Sequence, residues 1–342
     1  MKVLIFCFSS LSLFIGCTKS TKTDQYQKER NNTIDISSQI TDIKTNLVFG
    51  KSWLYIVDSF LVVEEQKPIG DKGIHLFNKN TFKYITSTGI VGKGPREVTR
   101  QGRIGIDHKR RIMWVDDHGK KVRWMFPIDS ILSNSNFLPT FNTGIPIKFF
   151  LEEYDFINDS IAIGKAWDIV NSSSFDNKMA KLDFNRNITT AFGYMHPNVT
   201  GEKSNFSFKL SLKDSLYVNG YLTTDLITIC DLNGNLKHNV YGPDWNTPNE
   251  EWRDYYTSIG ILNKHIIASF VGQERFYYDK NSRLKYNWPT KFMVFNLDGN
   301  YESTLETGCT IIDFCVDDEN GRVIAYFDNR DNPLAFFNFK MN

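Results

Sequence analysis

The chain has 342 residues, with 40 Lys and Arg against 39 Asp and Glu for a net charge of +1. That balance, without any block of like charge, gives no pull toward polyanions, so duplex and single-strand nucleic-acid binding are disfavoured. Hydrophobic residues at 41% exclude wholesale disorder, and an aromatic share of 14% favours β-structure.

Residues 1–17 read MKVLIFCFSSLSLFIGC. Lys2 gives a positive start, and Val3 to Ile15 is an apolar run broken only by serines. It is shorter than the roughly 20 residues that a bilayer-spanning helix needs. The string Phe14-Ile15-Gly16-Cys17 resembles the box read by the bacterial lipoprotein signal peptidase. That implies removal of residues 1–16 and lipidation of Cys17, whose acyl chains then anchor the protein to a membrane. An ordinary secretory signal with Cys17 incidental is the competing reading.

Residues 17–32 continue as a Lys/Thr-rich stretch without aliphatic residues, which predicts a flexible, solvated tether. With Cys7 and Cys17 set aside, Cys230, Cys309 and Cys315 remain. Cys309 and Cys315 could pair, but the apolar residues around them predict buried, unpaired thiols. No C-x-x-C occurs, so no structural zinc site is suggested, and no cofactor is implied.

From residue 33 to 342 the recurring pattern is an alternating strand, a tight turn and another alternating strand. Ile112–Val115 meets Asp116-Asp117-His118-Gly119, and Val122, Trp124 and Phe126 follow. Ile227 and Ile229 lead into Asp231-Leu232-Asn233-Gly234-Asn235. Met293, Phe295 and Leu297 lead into Asp298-Gly299-Asn300, and Ile312, Phe314 and Val316 into Asp317–Gly321. Gly, Asn and Asp recur there because tight hairpin turns need positive φ.

Units begin near Leu47, Gly102, Ile145, Phe206, Ile259 and Ile311. Each leaves apolar faces that only a neighbour can cover. This predicts an all-β, six-bladed β-propeller with four-stranded antiparallel blades. Its last blade has strands near Ile311, Val323 and Leu334, and an N-terminal strand around Ile34, Ile36 and Ile40 completes it.

The lipoprotein start, the loose repeats and the string Gly92-Lys93-Gly94-Pro95-Arg96-Glu97 together resemble the TolB-like, NHL-related six-bladed propeller lipoproteins of Bacteroidetes. The resemblance implies a fold and an envelope address more than an activity. Because no acidic run follows Cys17, a periplasm-facing anchor is expected, with surface exposure as the alternative.

Two connections carry candidate binding residues. In the first, Arg96, Glu97, Arg100 and Arg103 are expected near the central channel mouth, contacting an anion or fastening neighbouring blades. In the second, Thr247 and Glu250 read as a capping box with Pro248 at the first helical position, predicting a short helix over 248–258. Trp252, Tyr255, Tyr256 and Ile259 then share one face. With Trp245 they form either a core stripe or an aromatic platform for a sugar or peptide.

The Asp/Asn turns fail EF-hand spacing, and the six histidines show no metal-binding pattern, so no metal is expected. No G-x-S-x-G elbow is present. The leading expectation is therefore a monomeric binding or scaffold protein for a glycan, a peptide or an envelope protein. The alternative is a lyase or hydrolase of carbohydrate or peptide at the channel mouth, marked by charged groups converging from three or more blades.

Overall fold

Short apolar strands punctuated by turn residues fold here as an all-β molecule. The computed structural model describes residues 23–171, 174–247 and 252–340. The signal segment, Cys17 and the chain up to residue 22 lie outside the described residues.

The repeating element is a four-stranded antiparallel meander. The first contains Ser52–Val57, Phe60–Glu65, Lys72–Asn78 and Tyr84–Ile90. The second contains Gln101–Asp107, Ile112–Asp117, Val122–Pro127 and Thr140–Gly144. Phe149–Phe156, Ile161–Ile169, Phe175–Asp183 and Ile188–Ala191 make the third. Phe206–Ser211, Leu216–Tyr221, Leu226–Asp231 and Leu236–Tyr241 make the fourth. The fifth has Arg253–Leu262, His265–Glu274, Lys291–Asn296 and Tyr301–Glu306. In the sixth, Ile311–Asp317, Arg322–Phe327 and Leu334–Asn338 are joined by Thr41–Asp42, which pairs antiparallel with Leu334–Asn338.

Turn chemistry sets these meanders locally. The Asp231 carboxylate accepts the backbone N–H groups of Asn233 and Asn235, each at 2.9 Å, and Gly234 takes φ 86°. An unbranched backbone at positive φ closes the hairpin without a Cβ clash.

The core lies between meanders. Val57, Val62 and Leu76 of the first pack against Ile104, Met113 and Val115 of the second. Leu262, Ile267 and Phe292 of the fifth meet Ile311, Phe314 and Phe327 of the sixth. Leu54 and Leu61 meet Ile312, Ile324 and Leu334, so the sixth also covers the first. Burying both faces of each sheet in this way produces the β-propeller architecture. The first strand of each meander lines the centre.

Three expectations are corrected. Ile34 does not reach the last meander: Thr33–Asp35 adds in parallel to Tyr301–Glu306 of the fifth, and Thr41–Asp42 supplies the extra strand of the sixth. Ile36 and Ile40 are buried where the fifth and sixth sheets meet.

The expected tether is ordered from residue 23. Asp24–Tyr26 adds in parallel to Leu236–Tyr241. The physical reason is that an outer strand offers unpaired backbone N–H and C=O groups, which any polar segment can satisfy. Side-chain composition does not register that gain.

The helix expected over 248–258 is also corrected. Residues 248–251 lie outside the described residues, and the rest enters the strand Arg253–Leu262. Tyr255 and Tyr256 fall at a register irregularity of that strand, and both are buried against Phe270. A strand covered on both sides does not alternate strictly, so it carries apolar residues at helical spacing without being a helix.

Candidate functional site

The first strands of the meanders enclose a central cavity of about 830 Å³. That volume suits a small ligand, for which roughly 300–1,000 Å³ is usual. Strand alternation turns every second side chain of these strands inward, and several of those are charged.

Arg103, near the start of its strand, lies over the Trp53 ring with its guanidinium carbon 4.8 Å from the centroid. Its Nη1 is 3.9 Å from Asp313 Oδ2. The Asp313 carboxylate is itself held from two sides, accepting the Leu54 N–H and the Ser258 hydroxyl, each at 2.9 Å. Lys51 places its ammonium 4.4 Å from the Trp288 centroid and 5.8 Å from that of Trp53.

Across the cavity, Lys165 sits 3.0 Å from Glu152 and 3.8 Å from Glu153. Trp167 Nε1 donates to Glu152 at 2.7 Å. Lys209, also on the lining, pairs with Asp155 at 2.9 Å. Behind the lining, the Tyr55 hydroxyl donates to Glu64 at 2.6 Å and accepts the Ile104 N–H at 3.2 Å.

Burial disfavours charge throughout this region. It raises the Glu64 carboxyl to about 7, against the pull of Tyr55, Arg103 and Gln101. It also lifts Asp313 and Glu153 above the ordinary carboxylate range, although Arg103 lowers both. For Glu152, burial is outweighed by Lys165 and Trp167, and its pKa falls. Burial and the nearby Arg103 lower the Lys51 ammonium. Burial opposes the Arg103 charge as well, but Tyr55, Asp313, Glu153 and Glu64 together hold its pKa above normal.

The sequence-predicted residues are split by the structure. Arg103 lines the cavity, and so does Tyr256. Tyr256 also donates its hydroxyl to Asp225 at 2.7 Å. Arg96 donates to the carbonyls of Pro139, at 2.8 Å, and Leu138. The Glu97 carboxylate accepts the Gly94 N–H at 2.7 Å, which stiffens its own loop. Arg100 is exposed, and its backbone N–H donates to Asp117 at 3.0 Å. Trp245 packs on Tyr241 with centroids 4.4 Å apart. Trp252 is 56% exposed, with the Arg275 guanidinium 5.5 Å from its ring. Tyr255 is buried against Phe270. The expected aromatic platform is therefore not assembled as one face.

Lys51, Glu152, Glu153, Lys165 and Asp313 had no motif to mark them. A usable signal was present all the same: Glu152-Glu153 and Asp313 interrupt strands that are otherwise almost wholly apolar, FFLEEYDF and IIDFCVD. Charges from several meanders do converge here. Each carboxylate among them is engaged by a cation or by hydrogen-bond donors. Among the described residues no group of three or more His, Cys, Asp or Glu is placed to hold a metal ion. Cys230, Cys309 and Cys315 are free thiols, the first buried and the others half-buried.

No protein-family model and no curated protein matches the chain. Solved structures do resemble it. A member of the DUF4221 family from Bacteroides vulgatus aligns over 88% of this chain and 95% of that one, with 14% identity and a TM-score of 0.58. A Bacteroides fragilis protein described as exported aligns over 93% and 99%, with 11% identity and a TM-score of 0.56. At these identities the likeness is one of fold.

Proposed function

We propose that the protein is a lipid-anchored, periplasm-facing envelope β-propeller that binds a small polar ligand, a glycan or peptide fragment, in its central cavity. In this reading the six meanders are the blades of one closed ring, and Thr41–Asp42 is the strand that joins its two ends. Pairing of that strand with Leu334–Asn338 and the apolar contacts between first and sixth sheets support it. The sequence Phe14-Ile15-Gly16-Cys17 and the likeness of fold to an exported protein support the address. The resemblance to TolB-like, NHL-related lipoproteins belongs to the same reading.

The observation that carries the binding role is the cavity itself. Cations and carboxylates stand side by side on a rigid ring of strands, which fixes polar recognition groups before a ligand arrives. The test is a binding screen of the full chain against defined glycan and peptide panels. Ligands are expected whose binding is lost in Arg103→Gln or Asp313→Asn and kept in Arg96→Ala and Trp252→Ala. Binding kept in both cavity variants overturns the reading. For the anchor, metabolic labelling with an alkyne fatty acid is expected to mark the wild-type chain and not Cys17→Ser; equal labelling contradicts it.

A further inference from the structure

We infer that the cavity mouth is a receptor for the carboxylate of a sugar acid, a monosaccharide unit of the uronic-acid type. The inference rests on the cavity reading above and names the ligand's chemistry.

Arg103 and Lys51 share one aromatic support, at 4.8 and 5.8 Å from the same Trp53 centroid, with Trp288 under Lys51. Among the described residues neither cation makes a hydrogen bond to the protein, and the nearest carboxylate to Arg103, that of Asp313, stands 3.9 Å away. That carboxylate is already committed to Leu54 and Ser258. A guanidinium fixed by stacking, with its fork left open, is pre-organised for bidentate capture of a planar oxyanion. Asp313, Glu153 and Glu64 all act on Arg103, so this acidic surround repels a dianionic phosphate more strongly than a monoanionic carboxylate.

The remaining lining selects what the acid group is attached to. Glu152 and Glu153 are hydrogen-bond acceptors facing the same space. Ser207 lines it too, and its buried hydroxyl has no partner. Acceptors and an idle hydroxyl opposite a cation pair suit a ring bearing several hydroxyl groups. The rim tryptophan faces are occupied by the cations, so apolar stacking is not the dominant contact.

The test titrates the full chain with sodium D-glucuronate, D-glucose, methyl D-glucuronate ester and inorganic phosphate by isothermal titration calorimetry. Glucuronate is expected to bind at least tenfold more tightly than the other three, and added salt is expected to weaken it. Arg103→Gln and Lys51→Gln are each expected to weaken it at least tenfold. Lys51 is solvent-exposed, so its replacement leaves the fold intact should Arg103→Gln fail to fold. Equal binding of glucose or phosphate, or glucuronate binding unchanged in Lys51→Gln, overturns the inference. If the panels yield a neutral glycan or a peptide bound in the cavity while glucuronate does not bind, the sugar-acid assignment falls and the cavity reading stands.

Discussion

Arg30 Nη1 lies 3.0 Å from Asp225 Oδ1, with the two side chains only 6% and 1% exposed. Arg30 also donates to the Tyr256 hydroxyl at 2.9 Å, and its guanidinium lies 5.5 and 5.7 Å from the Phe270 and Phe295 ring centroids. The N-terminal segment thus plugs a charged group between the fourth and fifth meanders. Arg30→Ala leaves Asp225 buried without its cation, a loss expected to cost roughly 3–5 kcal/mol. Thermal denaturation is expected to show a fall of several degrees. An unchanged melting temperature contradicts this role.

Glu64 makes stability depend on pH in a definite direction. Its folded-state pKa of about 7 exceeds the ordinary 4.5. The stability due to neutral Glu64 is therefore fully present below about 4.5 and is lost as pH rises through about 7. A shift of this size corresponds to ~3 kcal/mol. Urea denaturation at pH 4.5 and pH 8 is expected to show a smaller pH difference in Glu64→Gln than in wild type. Parallel pH profiles contradict it.

Gly164 permits the close pairing that carries the acidic wall of the cavity. A Cβ there would stand 2.0 Å from the Glu153 carbonyl oxygen, in the register that pairs Tyr154 with Gly164. Gly164→Ala must displace the strand bearing Glu152 and Glu153, at a cost of roughly 1–3 kcal/mol or more. Ligand affinity is expected to fall together with melting temperature. Loss of neither contradicts the packing described.

Burial pushes the Cys230 thiol up to about 12, so almost none is thiolate at neutral pH. Iodoacetamide is expected to leave Cys230 unmodified in the native protein and to modify it in urea, as read by peptide mass spectrometry. Native labelling at the urea rate contradicts its burial.

Much of the fold was legible in turn chemistry. The Asp231–Asn235 hairpin and the units starting near Gly102, Phe206 and Ile311 correspond to meanders found in the structure, because local turn and alternation rules govern them. Residues 24–26 were unreadable for a different reason: strand addition at a sheet edge is a backbone interaction and leaves no side-chain pattern. The run from Trp252 to Ile259 imitated a helix because a doubly covered strand loses its alternation. At the site, Arg103 was anticipated from its place in a connection between units. Its neighbours Trp53 and Asp313 lie on the first and sixth meanders, far from it in sequence, and only the packing of those sheets against one another brings them together.

The central claim is that recognition occurs inside the ring of first strands. A crystal structure of the full chain with the best-binding member of the panels tests it most directly. Ligand density is predicted between Arg103, Lys51, Asp313 and Lys165, with an acid group on the guanidinium. Density beside Arg96 or Trp252, with the cavity holding only solvent, would contradict the account.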